Sequence, residues 1–273
     1  MPAPNAIASD KLARLIGTAR APVILDVRSD ADVAADPRLL PGAIRADDRA
    51  LADLPPLPPG AVVAVCQEGH RRSQGAAAWL RAQGRPAEVL DGGFAAWRDA
   101  GLPLVDPARL PPRDRQGRTV WVTRARPKID RIACPWLIRR FVDPRAVFLF
   151  VAPAEVTNVA QTYGAMPFDI KYAFFSHRGD LCSFDVMLQE FGLNIPALDR
   201  LATIVRGADT ARPDLAPEAP GLLAASLGLS RMYPDDLDQL DAAMILYDAL
   251  YRWCRDATGE THNWPGTKPG AAA

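Results

Sequence analysis

The fold of this chain turns on one stretch, 61-AVVAVCQEGHRRSQGAAAWL-80. An apolar run ends in Cys66, a short polar loop follows, and an alanine-rich helical pattern continues from about Ser73 to Gln83, closed by Gly84. An apolar run without alternation marks a strand covered on both faces, as in parallel α/β sheets. The neighbouring segments repeat the arrangement. Residues 23-VILDV-27 form a β-branched run with Asp26 and Arg28 at its end. Residues 87-AEVL-90 lead through 91-DGG-93 into a helix from Phe94 to Ala100, with Gly101 placed to terminate it. Ligands of such sheets sit at the carboxyl ends of strands, where Asp26, Arg28 and Cys66 fall.

A cysteine leaving a strand into a loop that opens a helix meets unpaired backbone N–H groups and the positive end of the helix. That setting favours the thiolate, the form that attacks, and it holds anions. Arg71 and Arg72 add charge to the loop.

The bulk composition excludes several classes. At 273 residues, 49% of them hydrophobic, the chain can bury one large core or two modest ones. The formal net charge is zero, so no global field directs it to nucleic acid or membrane. The neutrality hides a segregation. Residues 109–145 carry eleven Lys/Arg against three Asp, and residues 214–248 carry seven acidic residues against one Arg. Either the two segments face each other, or the basic one faces an anion. The four cysteines, Cys66, Cys134, Cys182 and Cys254, form no C-x-x-C pair, and no secretory signal opens the sequence. A reduced cytoplasmic protein without disulfides or membrane insertion is expected.

Four motifs in order, 25-LDVR-28, 41-PGAI-44, 66-CQEGHRRS-73 and 90-LDGGFAAWRDAGLPL-104, make residues 8–105 resemble the rhodanese family. The resemblance implies a doubly wound α/β sheet with helices on both faces. It also implies a catalytic Cys66 that carries sulfur as a persulfide. Gln67, Glu68, Gly69, His70, Arg71, Arg72 and Ser73 would then form the anion cradle, supported by Asp26 and Arg28. One departure stands out. Many single-domain rhodaneses place Ser six residues after Cys, whereas Ser73 lies seven after Cys66. That longer loop is similar to those of tyrosine phosphatases and of rhodanese-fold phosphatases and arsenate reductases. In those loops an Arg at the position of Arg72 grips a tetrahedral oxyanion. Against this stand Glu68 inside the cradle and the lack of a His before the cysteine, where Val65 sits.

A Pro- and charge-rich segment, 106–118, reads as a linker to a second domain over 119–260, with a flexible tail over 261–273. Strand patterns at 119-TVWVT-123 and 146-AVFLFV-151 are followed by helical patterns at 183–191, 197–206 and 236–256. Pro135 suits the first turn of a helix over 134–141. Arg124, Arg126, Lys128 and Arg131 then fall in an irregular stretch before it, where binding residues concentrate. Residues 121-WVTRARPKIDRIACPWLIRRF-141, 166-MPFDI-170, 174-FFSHRGDLCSFD-185, 205-VRGAD-209 and 247-YDALYRW-253 resemble the C-terminal domain family of the chromate-resistance protein ChrB. That resemblance implies a mostly helical α+β domain and a role in sensing or handling chromate or a similar oxyanion. The contacts expected are Arg124, Arg126, Lys128 and Arg131, with His177. Regulatory members carry a DNA-binding segment where this chain has its rhodanese-like part, so DNA is not an expected partner.

Two smaller sites complete the reading. His177, Cys182 and Asp185 can ligate a metal, but H-x4-C-x2-D matches no standard zinc pattern. No metal or other cofactor is expected, and Ser183 or Asp180 serves instead as a helix cap. Asp248 interrupts an apolar helix face and is expected to pair with Arg124, Arg126 or Arg131. The expected function is a chromate-resistance protein with a thiosulfate sulfurtransferase-like Cys66, taking thiosulfate or another sulfur donor and a thiol acceptor. The alternatives are a non-enzymatic chromate-responsive regulator and a Cys66-dependent arsenate or chromate reductase.

Overall fold

The structure is a computed structural model that describes residues 5–260, so the tail expected over 261–273 lies outside it. The first half alternates β1 (Ala6–Ile7), α1 (Ser9–Leu15), β2 (Val23–Asp26), α2 (Asp30–Ala35), β3 (Ile44–Arg45), β4 (Val62–Val65), α3 (Arg71–Ala82), β5 (Ala87–Leu90) and α4 (Gly93–Asp99). The strands form one parallel sheet in the order β1-β5-β4-β2-β3, with β4 at its centre. All four residues of β2 and of β4 are buried, as runs without alternation require. The α/β doubly wound reading of this half holds.

The second half continues with β6 (Val120–Arg124), α5 (Asp130–Leu137), β7 (Val147–Val151), α6 (Val156–Tyr163), β8 (Met166–Pro167), α7 (Ser183–Phe191), α8 (Pro196–Asp209), α9 (Ala219–Met232) and α10 (Asp236–Asp256). Its strands make a three-stranded parallel sheet in the order β7-β6-β8. The rest is mostly helical, apart from irregular stretches such as 168–182. Among the described residues, no helix is long and apolar enough to cross a membrane.

Helix α5 differs from its sequence reading. It begins at Asp130, so Pro135 lies inside it and Arg131 stands on the helix. Lacking an N–H, Pro135 breaks the regular ladder, and the chain closes through a π-turn over Ile138–Val142, with the Asp143 N–H donating to Ile138 O at 2.7 Å. The early start is set by Ile129, which takes φ +37°, and by the Arg131 N–H donating to Lys128 O at 2.9 Å. A positive φ at a β-branched residue is strained. Ile129 is locked there by Ser226 Oγ, which accepts its N–H, and by the Tyr247 hydroxyl, which donates to its carbonyl. Helix α9 had no sequence signal because its buried face is built from Ala219, Leu222, Ser226 and Ser230, of which only Leu222 is large and apolar.

A single apolar cluster runs from the first half into the second, from Ile7, Leu12, Phe94 and Trp97 to Trp121, Trp136, Phe141 and Tyr251. Hydrogen bonds cross as well: the Gly42 N–H donates to Phe141 O at 2.7 Å, and the Arg255 guanidinium donates to Arg14 O at 2.8 Å. Residues 106–118 hold a short turn over Pro107–Arg109, preceded by paired backbone bonds between Val105 and Leu39. The segregated charges do face each other in part, because Arg139 meets Asp241 and Arg140 meets Asp248.

Candidate functional site

Cys66 follows the last residue of the central strand β4 and is buried. Its Sγ lies 3.1 Å from Ser73 Oγ, and the Ser73 hydroxyl is also 3.1 Å from His70 O. The first backbone N–H after the cysteine to find a protein acceptor is that of Gln74, which donates to His70 O at 2.9 Å. Among the described residues, the N–H groups of Gln67 to Ser73 have no protein acceptor, as the start of a helix dictates. The carbonyls of the loop point the other way: Cys66 O accepts the Phe94 N–H and Gln67 O accepts the Ala95 N–H, both at 2.9 Å.

That second set of bonds needs glycine. Gly93 has φ +60°, and a Cβ there would lie 2.3 Å from Cys66 O and 2.5 Å from Gly69 N. Gly69, at φ +75°, would bring a Cβ to 2.7 Å from Leu90 O. The loop and the start of α4 therefore touch backbone to backbone.

Asp26 is the last residue of β2, and Arg28 follows two residues on. Asp26 and Arg28 are both buried; Arg28 Nε donates to Asp26 Oδ2 at 2.9 Å, and its guanidinium lies 3.8 Å from the centre of the Phe94 ring. Further bonds to Asp36 O and Arg38 O give each of the three guanidinium nitrogens an acceptor, as a buried charge requires. Through Phe94 this pair braces the helix start that carries the cysteine loop.

Two cradle residues behave differently from the phosphatase-like pattern. Arg72 is turned away to a salt bridge with Asp48, so its fork does not close over the loop. The carboxylate of Glu68 is 71% exposed and faces His70 at 3.6 Å, so it stands in solvent rather than inside the cradle. Beside the loop lies a cleft of about 320 Å³ lined by Arg28, Arg45, Arg49 and Arg72 together with Asp30 and Asp47.

The second half builds another polar cluster. Arg124, at the end of β6, donates to Asp169 O at 3.1 Å and lies 3.4 Å from its carboxylate. Arg131 Nε is 3.2 Å from the same carboxylate, and His177 Nε2 is 3.4 Å from its other oxygen. Three of the expected oxyanion contacts thus converge, but on Asp169. His177 Nε2 also lies 3.1 Å from Asp209 and 3.5 Å from Asp130. These hydrogen bonds push the imidazole pKa up to about 12. Burial pushes Asp130 up to about 6 despite the imidazole beside it. Burial also acts to raise Asp169, but bonds from His177 and Ser183 and the charges of Arg131 and Arg124 outweigh it and hold it low. Asp130, Asp169 and Asp209 were missed in the sequence, although 166-MPFDI-170 and 205-VRGAD-209 carry two of them.

Other expected residues go elsewhere. Lys128 is exposed. Arg126 donates from its backbone to Asp236 and from its guanidinium to Ser230 O and Tyr233 O, so it ties β6 to α9 and α10 instead of facing the cluster. Asp248 pairs not with Arg124, Arg126 or Arg131 but with Arg140, through two bonds of 2.8 and 2.7 Å, and accepts from Trp136 Nε1 at 2.8 Å. Trp136 lies on α5 and Arg140 on the π-turn that continues it, one turn further on, so both reach Asp248 on α10. Cys182 and Asp185 do not join His177. The Cys182 N–H donates to Asp185 Oδ2 at 3.0 Å, capping α7, and Asp185 pairs with Arg206. The N-cap is therefore Cys182, with Asp185 three residues on accepting its N–H, rather than Ser183 or Asp180; the Ser183 hydroxyl donates to Asp169.

Comparison with known proteins finds one family match in each half of the chain. Residues 8–100 match the rhodanese-like domain and residues 121–254 match the C-terminal domain of ChrB. Protein ChrB of Cupriavidus metallidurans is 39% identical over 144 residues, 52% of this chain and 43% of that protein, so the chain spans less than half of that relative's length. Among solved structures, a protein of unknown function from Rhodopseudomonas palustris described as a possible tyrosine phosphatase is 26% identical. The match covers 37% of this chain and 83% of that one, with a TM-score of 0.31. Thiosulfate sulfurtransferase from Pseudomonas aeruginosa is 31% identical, over 38% of this chain and 20% of that one, with a TM-score of 0.31.

Proposed function

In a chain that joins a rhodanese-like domain to a ChrB C-terminal domain, we propose that Cys66 transfers sulfur through a persulfide and that the whole acts in chromate resistance. The observation that carries the first part is the cysteine loop. Sγ stands beside Ser73 Oγ at the entrance to a run of backbone N–H groups without protein acceptors, while Arg72 is held outward by Asp48.

The Cys66 thiolate attacks the outer sulfur of thiosulfate. The sulfur–sulfur bond breaks, sulfite leaves with the electron pair, and Cys66 keeps the sulfur as a persulfide. A thiol acceptor then attacks that sulfur and restores the thiolate. The free N–H groups stabilise the anionic sulfur at each stage. Ser73 Oγ sits within reach to donate to it, and the buried Arg28–Asp26 pair keeps the loop in register. Gripping a phosphate-like dianion in the same loop would call for the Arg72 fork, which Asp48 occupies, and this favours sulfur transfer over the phosphatase-like reading. Four unpaired thiols suit a reducing compartment, and the reading assigns the chain to the cytoplasm.

In the second domain, the oxyanion contact we assign is Arg124, 42% exposed at the rim of the cluster, beside Arg131 and His177. Thiocyanate formation from thiosulfate and cyanide tests the first part, run beside phosphatase and arsenate assays on wild type and Cys66→Ser. Turnover that needs Cys66, with one sulfur added to the Cys66 peptide after thiosulfate treatment, is the expected result. Activity that survives Cys66→Ser sinks it, and no Cys66-dependent turnover at all leaves the chain a binding module. Chromate, sulfate and phosphate titrations on wild type and Arg124→Ala test the second part. Equal chromate affinity in the two proteins sinks it.

A further inference from the structure

We propose that Asp130, Asp209 and His177 form a binding site for one divalent cation of the manganese, iron(II) or zinc class, with Asp169 as the bordering carboxylate. Each of the three offers one ligand atom, and these atoms lie within 4.8 Å of one another. They come from the start of α5, the end of α8 and the loop before α7, so the fold rather than local sequence gathers them.

Asp130 supplies the independent observation. It is wholly buried and turned toward the imidazole, with Oδ2 accepting the Ser183 N–H and standing 3.5 Å from His177 Nε2. Its Oδ1, equally buried, has no hydrogen-bond partner. A buried carboxylate oxygen without a partner is costly, and an ion at that oxygen removes the cost. The imidazole tells the same story from the other side. A single Nε2 is shared by three carboxylates at 3.1, 3.4 and 3.5 Å, whereas one N–H can satisfy one of them.

The charges fit a dication. Arg124 and Arg131 lie against Asp169, and Ser183 donates to it at 2.8 Å, so Asp169 is already compensated. Two carboxylates then remain, those of Asp130 and Asp209. A divalent ion neutralises both, with His177 giving up its Nε2 proton and presenting the lone pair. The donor set is two carboxylate oxygens and one imidazole nitrogen, which suits borderline and hard first-row ions. Neither Cys134 nor Cys182 belongs to the group of converging ligand atoms, so no sulfur draws the site toward soft ions. Three protein ligands leave open positions on the ion, and the exposed face of His177 gives access to them.

The test is titration of the full chain, stripped with a chelating resin, with Mn²⁺, Fe²⁺ and Zn²⁺ by calorimetry, and with Mn²⁺ by electron paramagnetic resonance. One ion per chain is expected in the wild type. Affinity should fall by roughly 100-fold or more in Asp209→Asn and in His177→Gln, since losing a ligand costs more than the loss of an outer-shell partner. Asp214→Asn, an exposed carboxylate paired with Arg212, should bind as the wild type does. Loss of binding counts only where the variant keeps the wild-type circular dichroism spectrum. His177→Gln provides that arm if Asp209→Asn unfolds, because its imidazole is 39% exposed. Failure of all three ions to bind the wild type stoichiometrically, or binding that both variants retain, overturns the proposal. Neither outcome bears on Cys66 turnover.

Discussion

Replacing Gly93 with alanine tests whether the cysteine loop is held by backbone contact. The added Cβ would stand 2.3 Å from Cys66 O, so that oxygen must withdraw by about 0.7 Å to reach the 3.0 Å below which real Cβ contacts essentially never fall. Gly69 N, at 2.5 Å, and Gln67 O, at 2.8 Å, must give way with it, and both are backbone atoms that cannot rotate aside. The left-handed φ of +60° costs alanine about 1–2 kcal/mol by itself. Weakening the two bonds that Phe94 and Ala95 donate to the loop adds about 1 kcal/mol each, for roughly 3–4 kcal/mol of stability in all. Moving Sγ with its carbonyl by that distance should slow thiocyanate formation by about tenfold to a hundredfold.

Two other glycines separate the contributions. Gly84→Ala carries the same kind of φ, +78°, in open space and should lose only about 1–2 kcal/mol. Gly75→Ala lies inside α3, also in open space, and should gain up to about 1 kcal/mol. Urea unfolding, the rate of Cys66 alkylation and the rate of thiocyanate formation are measured on all three. A Gly93→Ala chain that unfolds with Gly84→Ala and alkylates at the wild-type rate would refute the close approach.

Arg140→Ala leaves the Asp248 carboxylate, 8% exposed, without its cation and should cost about 3–5 kcal/mol in urea unfolding. Arg140→Met combined with Asp248→Leu should recover most of that loss, and a double variant no more stable than the single one contradicts the pairing. Burial raises the thiol pKa values of Cys134, Cys182 and Cys254, the last to about 11, so at pH 8 all three stay protonated. Iodoacetamide followed by peptide mass mapping should therefore label Cys66 first, and earlier labelling of any other cysteine is the contrary result. Arg72→Ala should change thiocyanate formation by no more than about fivefold, because the part-exposed Arg72–Asp48 pair faces away from the sulfur. A larger loss would mean that Arg72 swings in to hold the donor.

Much of the first half was legible because its signals are local. Buried strands read as unbroken apolar runs, and a cysteine at the end of such a run, followed by a helix start, has its place in a parallel sheet set by chain geometry. The second half was less legible where that local logic failed. Pro135 usually marks a helix start, yet the packing of Ser226 and Tyr247 against Ile129 holds a strained turn that begins the helix five residues earlier. Serine on the buried face of α9 hid a helix from a pattern built on large apolar residues.

The sequence by itself determined the parallel sheet, the position of Cys66 at the carboxyl end of one of its strands and the division into two families of motif. Those depend on residues within a few positions of one another. Only the tertiary structure decided which charges meet. Arg72 found Asp48 at a separation of 24 residues, and Arg140 rather than its basic neighbours found Asp248 at 108. Asp130, Asp169, His177 and Asp209 came together from four separate segments. A loop carboxylate has no periodicity to announce its direction, and a long arginine side chain reaches several partners from one backbone position. Such choices are made by how the elements pack, where burial makes an unpaired charge costly and leaves one arrangement standing.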